Sequence, residues 1–212
     1  MTISYPRDLP SQLKVARAIF TASARAGVNE SPFTAEEQIY VHQGELLEIE
    51  ISCPPMSGLR NAARQAEEVV AWGLSLNGKE GSFLLPPPGY GLGARGSLAG
   101  TPVVMGGGQS GKVLATDGWT PSAANVLKAG DWFQLGTAGS SHLHKVVQAA
   151  SADVYGQANL DIWPRLRDTP SDNDALTVLN PRGLFRLADG AWTWSIELAL
   201  LYGISFRARE AI

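Results

Sequence analysis

Apolar and polar residues alternate along most of this chain, with one stretch of helical period between the alternating segments. Leu47-Glu48-Ile49-Glu50-Ile51 puts three apolar side chains on one face of a strand and two glutamates on the other. Similar patterning predicts strands at 15–20 and 37–41 near the start of the chain. It predicts others at 184–187, 191–198 and 204–209 near its end, with Asp189-Gly190 as the turn between the first two of these. After Pro54-Pro55-Met56 the period changes. Leu59, Ala62, Ala63, Ala66, Val69 and Val70 recur every three or four residues, and Arg60, Asn61, Arg64, Gln65, Glu67 and Glu68 fill the other positions. One apolar stripe of this kind predicts a single helix laid on a sheet, with Ser57 as its N-cap. Asn77-Gly78 then turns the chain into a short strand, Ser82-Phe83-Leu84-Leu85.

Pro86-Pro87-Pro88-Gly89 stiffens and redirects the chain, and residues 91–100 read as an irregular connection. Beyond them come five short strand candidates, at 101–105, 112–116, 131–135, 143–147 and 159–163, the last closing on Pro164-Arg165-Leu166-Arg167. Five short strands in under a hundred residues fit a small β-barrel of the oligonucleotide/oligosaccharide-binding (OB-like) type. The expected fold is therefore mainly β with one helix. Residues 1–87 and 183–212 form a discontinuous β-sandwich domain, and residues 88–182 form an OB-like barrel inserted into it.

Composition narrows the function classes. The 212 residues, 44% hydrophobic and 17% charged, suit a folded protein with a proper core. The net charge of -3, with 17 Lys and Arg scattered along the chain, gives no basic stripe for tracking phosphates. A single cysteine, Cys53, rules out an internal disulfide and a cysteine-based zinc site. The N-terminal residues do not resemble a secretion signal, and no apolar run is long enough to span a bilayer, so a soluble protein without membrane insertion is expected.

The candidate chemistry is thin. Gly106-Gly107-Gly108-Gln109-Ser110-Gly111-Lys112 begins like a phosphate-binding P-loop, but Val113 stands where a magnesium-binding Ser or Thr is needed. The following residues read as strand and turn rather than a helix, so a hairpin loop is expected. His142-Leu143-His144 puts two imidazoles on one face of a strand without a third ligand nearby, which predicts surface or hairpin-end histidines and no metal. Asp168, Asp172, Asn173 and Asp174 lack the spacing and the central glycine of a calcium loop. No nucleophile elbow is present, Cys53 reads as a small half-buried hydrophobe, and neither catalytic residues nor cofactors are expected. Trp119, Trp132 and Trp163 fall in the inserted barrel, where they are candidate interface aromatics or platforms for stacking on a sugar.

The layout resembles the distal tail proteins of long-tailed bacteriophages. The likeness rests on the N-terminal strands, the single helix, the Phe83-Leu84-Leu85-Pro86 exit, the inserted barrel and the returning Leu184-Phe185-Arg186 strand. Its most specific piece is Lys128-Ala129-Gly130-Asp131-Trp132-Phe133-Gln134-Leu135 followed by Leu143-His144-Lys145-Val146, a Gly-Asp turn opening a strand that pairs with the next. The resemblance implies a structural, non-enzymatic component of the virion, assembled in the host cytoplasm and placed at the tail tip. In such a family the sandwich domain builds a homohexameric ring between the tail tube protein and the baseplate hub, and the barrel faces outward, sometimes toward side fibres or the host surface. The strongly apolar run Leu198-Ala199-Leu200-Leu201-Tyr202 is a candidate ring patch. The alternative is a carbohydrate-binding, receptor-recognising tail module that uses the barrel to read a host-surface glycan.

Overall fold

The computed structural model describes residues 3–57, 61–90, 93–198 and 200–212, without the side chains of 61–64. Strands dominate it. From the N-terminus the chain forms β1 (Arg7–Asp8), β2 (Arg17–Ser23), β3 (Ala26–Glu30), β4 (Glu37–Val41), β5 (Leu46–Ser52) and β6 (Met56–Ser57), then helix α1 (Asn61–Leu74) and β7 (Ser82–Leu85). The middle contributes β8 (Gly100–Val104), β9 (Val113–Trp119), β10 (Trp132–Leu135), β11 (His142–Val146) and β12 (Ala158–Trp163). β13 (Gly183–Leu187), β14 (Thr193–Ile196) and β15 (Leu201–Glu210) complete the chain.

Both ends of the chain build one eight-stranded sheet in the order β1-β7-β13-β15-β5-β2, with β14 and β6 also on β15. β15 is the axis of this sheet. Its alternation buries Tyr202, Ile204, Phe206, Ala208 and Glu210, and β5 beside it buries Leu47, Ile49 and Ile51. The opposite face carries Glu48, Arg207 and Arg209, where both arginines lie within 3.7 Å of Glu48. A sheet with one apolar face needs a cover. Helix α1 supplies it through Ala66, Val69, Val70 and Trp72, which with Leu76 in the following turn join the sheet's core, and the Trp72 ring meets Phe83 edge-on at 5.4 Å.

Ser57, the expected N-cap, lies in β6 paired with Leu201, and the residues between it and α1, Leu59 among them, fall outside the described residues. Three short or exposed strands, β1, β3 and β6, were also beyond the sequence pattern. β1 and β6 are two residues long, and β3 shows no apolar alternation, with four of its five residues exposed.

The middle of the chain forms a second sheet in the order β10-β11-β12-β9-β8. It curls. Residues 173–177 bond to Pro102 and Val104 beside one edge and to Gln134 on the other, so one short segment bridges the two outer strands. Inside lies a second apolar cluster drawn wholly from residues 104–178, with Leu114, Val126, Leu127, Phe133, Leu160 and Ile162 at its centre. The first cluster is drawn from residues 13–85 and 185–208, with Trp132 and Leu143 crossing into it from the curled sheet and Trp163 packed against it.

One glycine is fixed by packing. A Cβ on Gly73 of α1 would overlap the Trp192 indole, whose ring tilts against Phe206 at 4.9 Å. Gly73→Ala is expected to destabilise the protein by about 1–3 kcal/mol through overpacking. Gly139→Ala, at an open position, should stay within about 0.5 kcal/mol of wild type when both variants are unfolded in urea.

Candidate functional site

The two sheets meet along a seam where charge is sorted by origin. The large sheet contributes two buried carboxylates, Glu45 just before β5 and Glu210 at the end of β15. The curled sheet and its loops contribute the cations. Lys112 Nζ lies 2.7 Å from Glu45, and the Arg165 amide donates to the same carboxylate at 2.7 Å. Arg167 forks onto Glu210 at 2.6 and 3.1 Å while its second nitrogen donates to the Glu45 carbonyl at 2.8 Å. Burial alone would push the Glu45 carboxyl upward. Lys112 and Arg165 outweigh it and hold the pKa below its ordinary value. Burial also opposes ionisation of Glu210, and His142 with Arg167 likewise reverses the effect.

The paired histidines lie beside this seam, and both are buried rather than at the surface. His142 Nε2 is 3.1 Å from Asp168, while its Nδ1 stands 3.6 Å from Glu210, too far for a hydrogen bond. His144 is 1% exposed, stacks on Phe133 and uses Nδ1 to donate to the Pro164 carbonyl at 2.9 Å. Burial is the main reason its pKa falls to about 4. Among the described residues no group of three His, Cys, Asp or Glu side chains is arranged to hold a metal ion.

The glycine-rich loop folds around its own chain. Gln109 fills it, donating to the carbonyls of Met105, Gly106 and Ala115 and accepting from the Ala115 amide. The Gly106 amide donates to Asp172 and the Gly108 amide to the Pro170 carbonyl. A phosphate cradle needs those amides free, and the loop lysine is the one held by Glu45. The aspartates singled out in the sequence serve the same local purpose, since Asp174 accepts from the Ser171 amide. Cys53 is buried, and burial pushes its thiol up to about 11, far from a reactive thiolate.

The three tryptophans take different places. Trp119 is 3% exposed inside the curled sheet and donates to Thr116 Oγ1 at 2.8 Å, so it presents no free ring. Trp132 and Trp163 line an open cleft of about 300 Å³ together with Phe20 of β2 and Tyr90. Trp132 is itself buried, with the Lys145 ammonium 4.8 Å from its ring centre and Phe20 tilted against it at 6.3 Å. Tyr90 fixes the cleft's wall by accepting from the Trp132 amide at 3.1 Å.

The other surface of note is an arm. β2 pairs with β5 from Arg17↔Ser52 to Ser23↔Leu46, and β3 pairs with β4 from Ala26↔Val41 to Glu30↔Glu37, so the hairpin continues past the sheet after a shift of register. Val28, Ile39 and Val41 share one face of this arm, and each is about 60% exposed. Phe33 at the tip is 95% exposed. Leu198 and Leu200 of the expected ring patch are also exposed, Tyr202 is buried, and Ala199 falls outside the described residues.

Neither the protein-family models nor the curated proteins contain a match to this chain. Among the described residues no helix is long and apolar enough to cross a membrane.

Sequence reasoning missed Glu45, Glu210, Phe20 and Tyr90. A signal existed for the glutamates, because each occupies the buried phase of a period-two pattern: 45, 47, 49 and 51 in one case, 202 to 210 in the other. Arg167→Met would leave Glu210 buried without its guanidinium, and the expected cost is about 3–5 kcal/mol in denaturant unfolding. The pH dependence follows from His144. Its folded pKa lies below the ordinary value, so the unfolded chain takes up the proton first as pH falls. Stability should hold above about pH 6.5 and drop by about 3 kcal/mol toward pH 4. Glu45 and Glu210 push in the same direction below about pH 4.5. Unfolding at stepped pH, with an imidazole NMR titration giving a His144 midpoint about 4, checks both parts.

Proposed function

We propose that this chain is a structural ring subunit of the distal-tail type, joining the tail tube of a long-tailed bacteriophage to its baseplate hub. In this reading the large sheet with its helix is the ring-forming, sandwich-type domain, and the curled five-stranded sheet is the inserted OB-like barrel, residues 88–182. The observation that carries the reading is the arm. Val28, Phe33, Ile39, Tyr40 and Val41 are all more than half exposed, and none belongs to either apolar cluster. A two-stranded hairpin is at best marginally stable alone in water, and an exposed apolar patch of this kind marks a contact surface.

The edge beneath the arm supports the same conclusion. β2 is the seven-residue outer strand of the large sheet, with Ile19 and Phe20 more than a third exposed and a single charge, Arg17, along it. Natural monomers blunt such edges with charge, proline or a covering loop. A subunit covered by its neighbours has no such need. The cleft tryptophans do not favour the glycan reader over the ring, because Trp119 is internal and the Trp132 face carries Lys145.

Purified protein is expected to form closed rings of six copies in negative-stain micrographs and by mass photometry. A strictly monomeric species at high concentration would overturn the reading.

A further inference from the structure

The arm tip and the aromatic cleft are unlike surfaces with matching deficits. At the tip, Glu30 and Glu37 stand directly opposite each other across the hairpin, a like-charge pairing that destabilises a two-stranded ladder. Among the described residues no cation lies within salt-bridge distance of either. Just beyond them Phe33 offers its ring to solvent. The cleft has the converse composition: aromatic walls from Phe20, Tyr90, Trp132 and Trp163, and one ammonium, Lys145, with no carboxylate within reach among the described residues. The seam cations Lys112, Arg165 and Arg167 all have carboxylates.

A chain's own tip does not fill its own cleft. Phe20 and Ala22 of β2 and Leu47 of β5 place the cleft at the root of the arm. The ten steps from Ser23 to Phe33, if extended, carry the tip about 30 Å away. We infer that the arm tip of one copy docks in the cleft of a second copy, seating Phe33 among Phe20, Tyr90 and Trp163 and bringing the Glu30–Glu37 pair onto Lys145. Donor and acceptor are different patches, so the contact is head-to-tail and repeats around a ring when the rotation closes. A cleft of about 300 Å³ accommodates a phenyl side chain with room for the neighbouring backbone. The ammonium already on the Trp132 face gains a second, opposite charge in place of water.

This inference rests on the ring reading and names its contact, and one set of variants separates the two. Phe33→Ser and Lys145→Glu are compared with wild type by sedimentation velocity and mass photometry on the full chain, with melting temperatures confirming that each is folded. Each substitution is expected to weaken association at least tenfold. Adding Glu30→Lys and Glu37→Lys to the Lys145→Glu chain should recover assembly by restoring opposite charges. Wild-type rings with Phe33→Ser rings of equal affinity would overturn the contact and leave the ring standing. Loss of assembly in Lys145→Glu without recovery in the charge-exchanged chain would overturn the Lys145 pairing. A monomeric wild type would overturn both.

Discussion

Everything in this molecule turns on the pairing of two buried glutamates across the seam between its sheets. Glu45 and Glu210 occupy positions that an apolar residue would fill, the first in line with the covered face of β5 just before it begins and the second on the covered face of β15. An isolated carboxylate there would be intolerable, and the cations that relieve it all come from the other sheet and its loops. The charges are thus arranged as a key. Hydrophobic contact through Trp132 and Leu143 draws the curled sheet onto the large one but does not specify its orientation, whereas the forks of Arg167 onto Glu210 and of Lys112 and Arg165 onto Glu45 do.

That constraint explains why the segments of residues 88–182 look as they do. Lys112 closes the glycine-rich loop, and that loop folds around Gln109 so that its lysine emerges toward Glu45 rather than toward a ligand. Arg165 and Arg167 follow β12 after Pro164, whose carbonyl accepts from His144 Nδ1, while burial keeps that imidazole neutral beneath them. Asp131 plays the corresponding part at the entry. Its buried carboxylate accepts from the amides of Arg95, Gly96 and Lys128, tying the incoming connection to the turn before β10. The glycine loop, His144 and Asp174, which suggested nucleotide, metal or calcium chemistry, are engaged in local hydrogen bonds.

The sequence disclosed the strands and the helix well because their apolar phase is set by burial, as in Leu47, Ile49 and Ile51 or Ala66, Val69 and Val70. The seam was half legible. A glutamate in phase with buried isoleucines is a warning that a cation must come from elsewhere, but nothing local says that Lys112 and Arg165, the latter 120 residues from Glu45, will supply it. The cleft was less legible still, since Phe20, Tyr90, Trp132 and Trp163 belong to four separate segments and converge only when the seam has closed.

The arm shows the opposite economy from the seam. At the seam every charge has a partner within the chain, whereas along the arm the apolar face of Val28, Ile39 and Val41 is uncovered and the opposed Glu30 and Glu37 are unrelieved among the described residues. Local conflicts of this kind lower the stability of a monomer and are expected where a sequence is shaped for a contact made outside it. The continuity of β2 into β3 and of β4 into β5 gives the conflict a mechanical meaning. A partner that fixes the arm also fixes the strand that carries Phe20, and Phe20 forms part of the cleft at the arm's root. Occupation of one end of the hairpin therefore bears on the shape of the other, and in the proposed ring this couples successive subunits through a single continuous element rather than through independent patches.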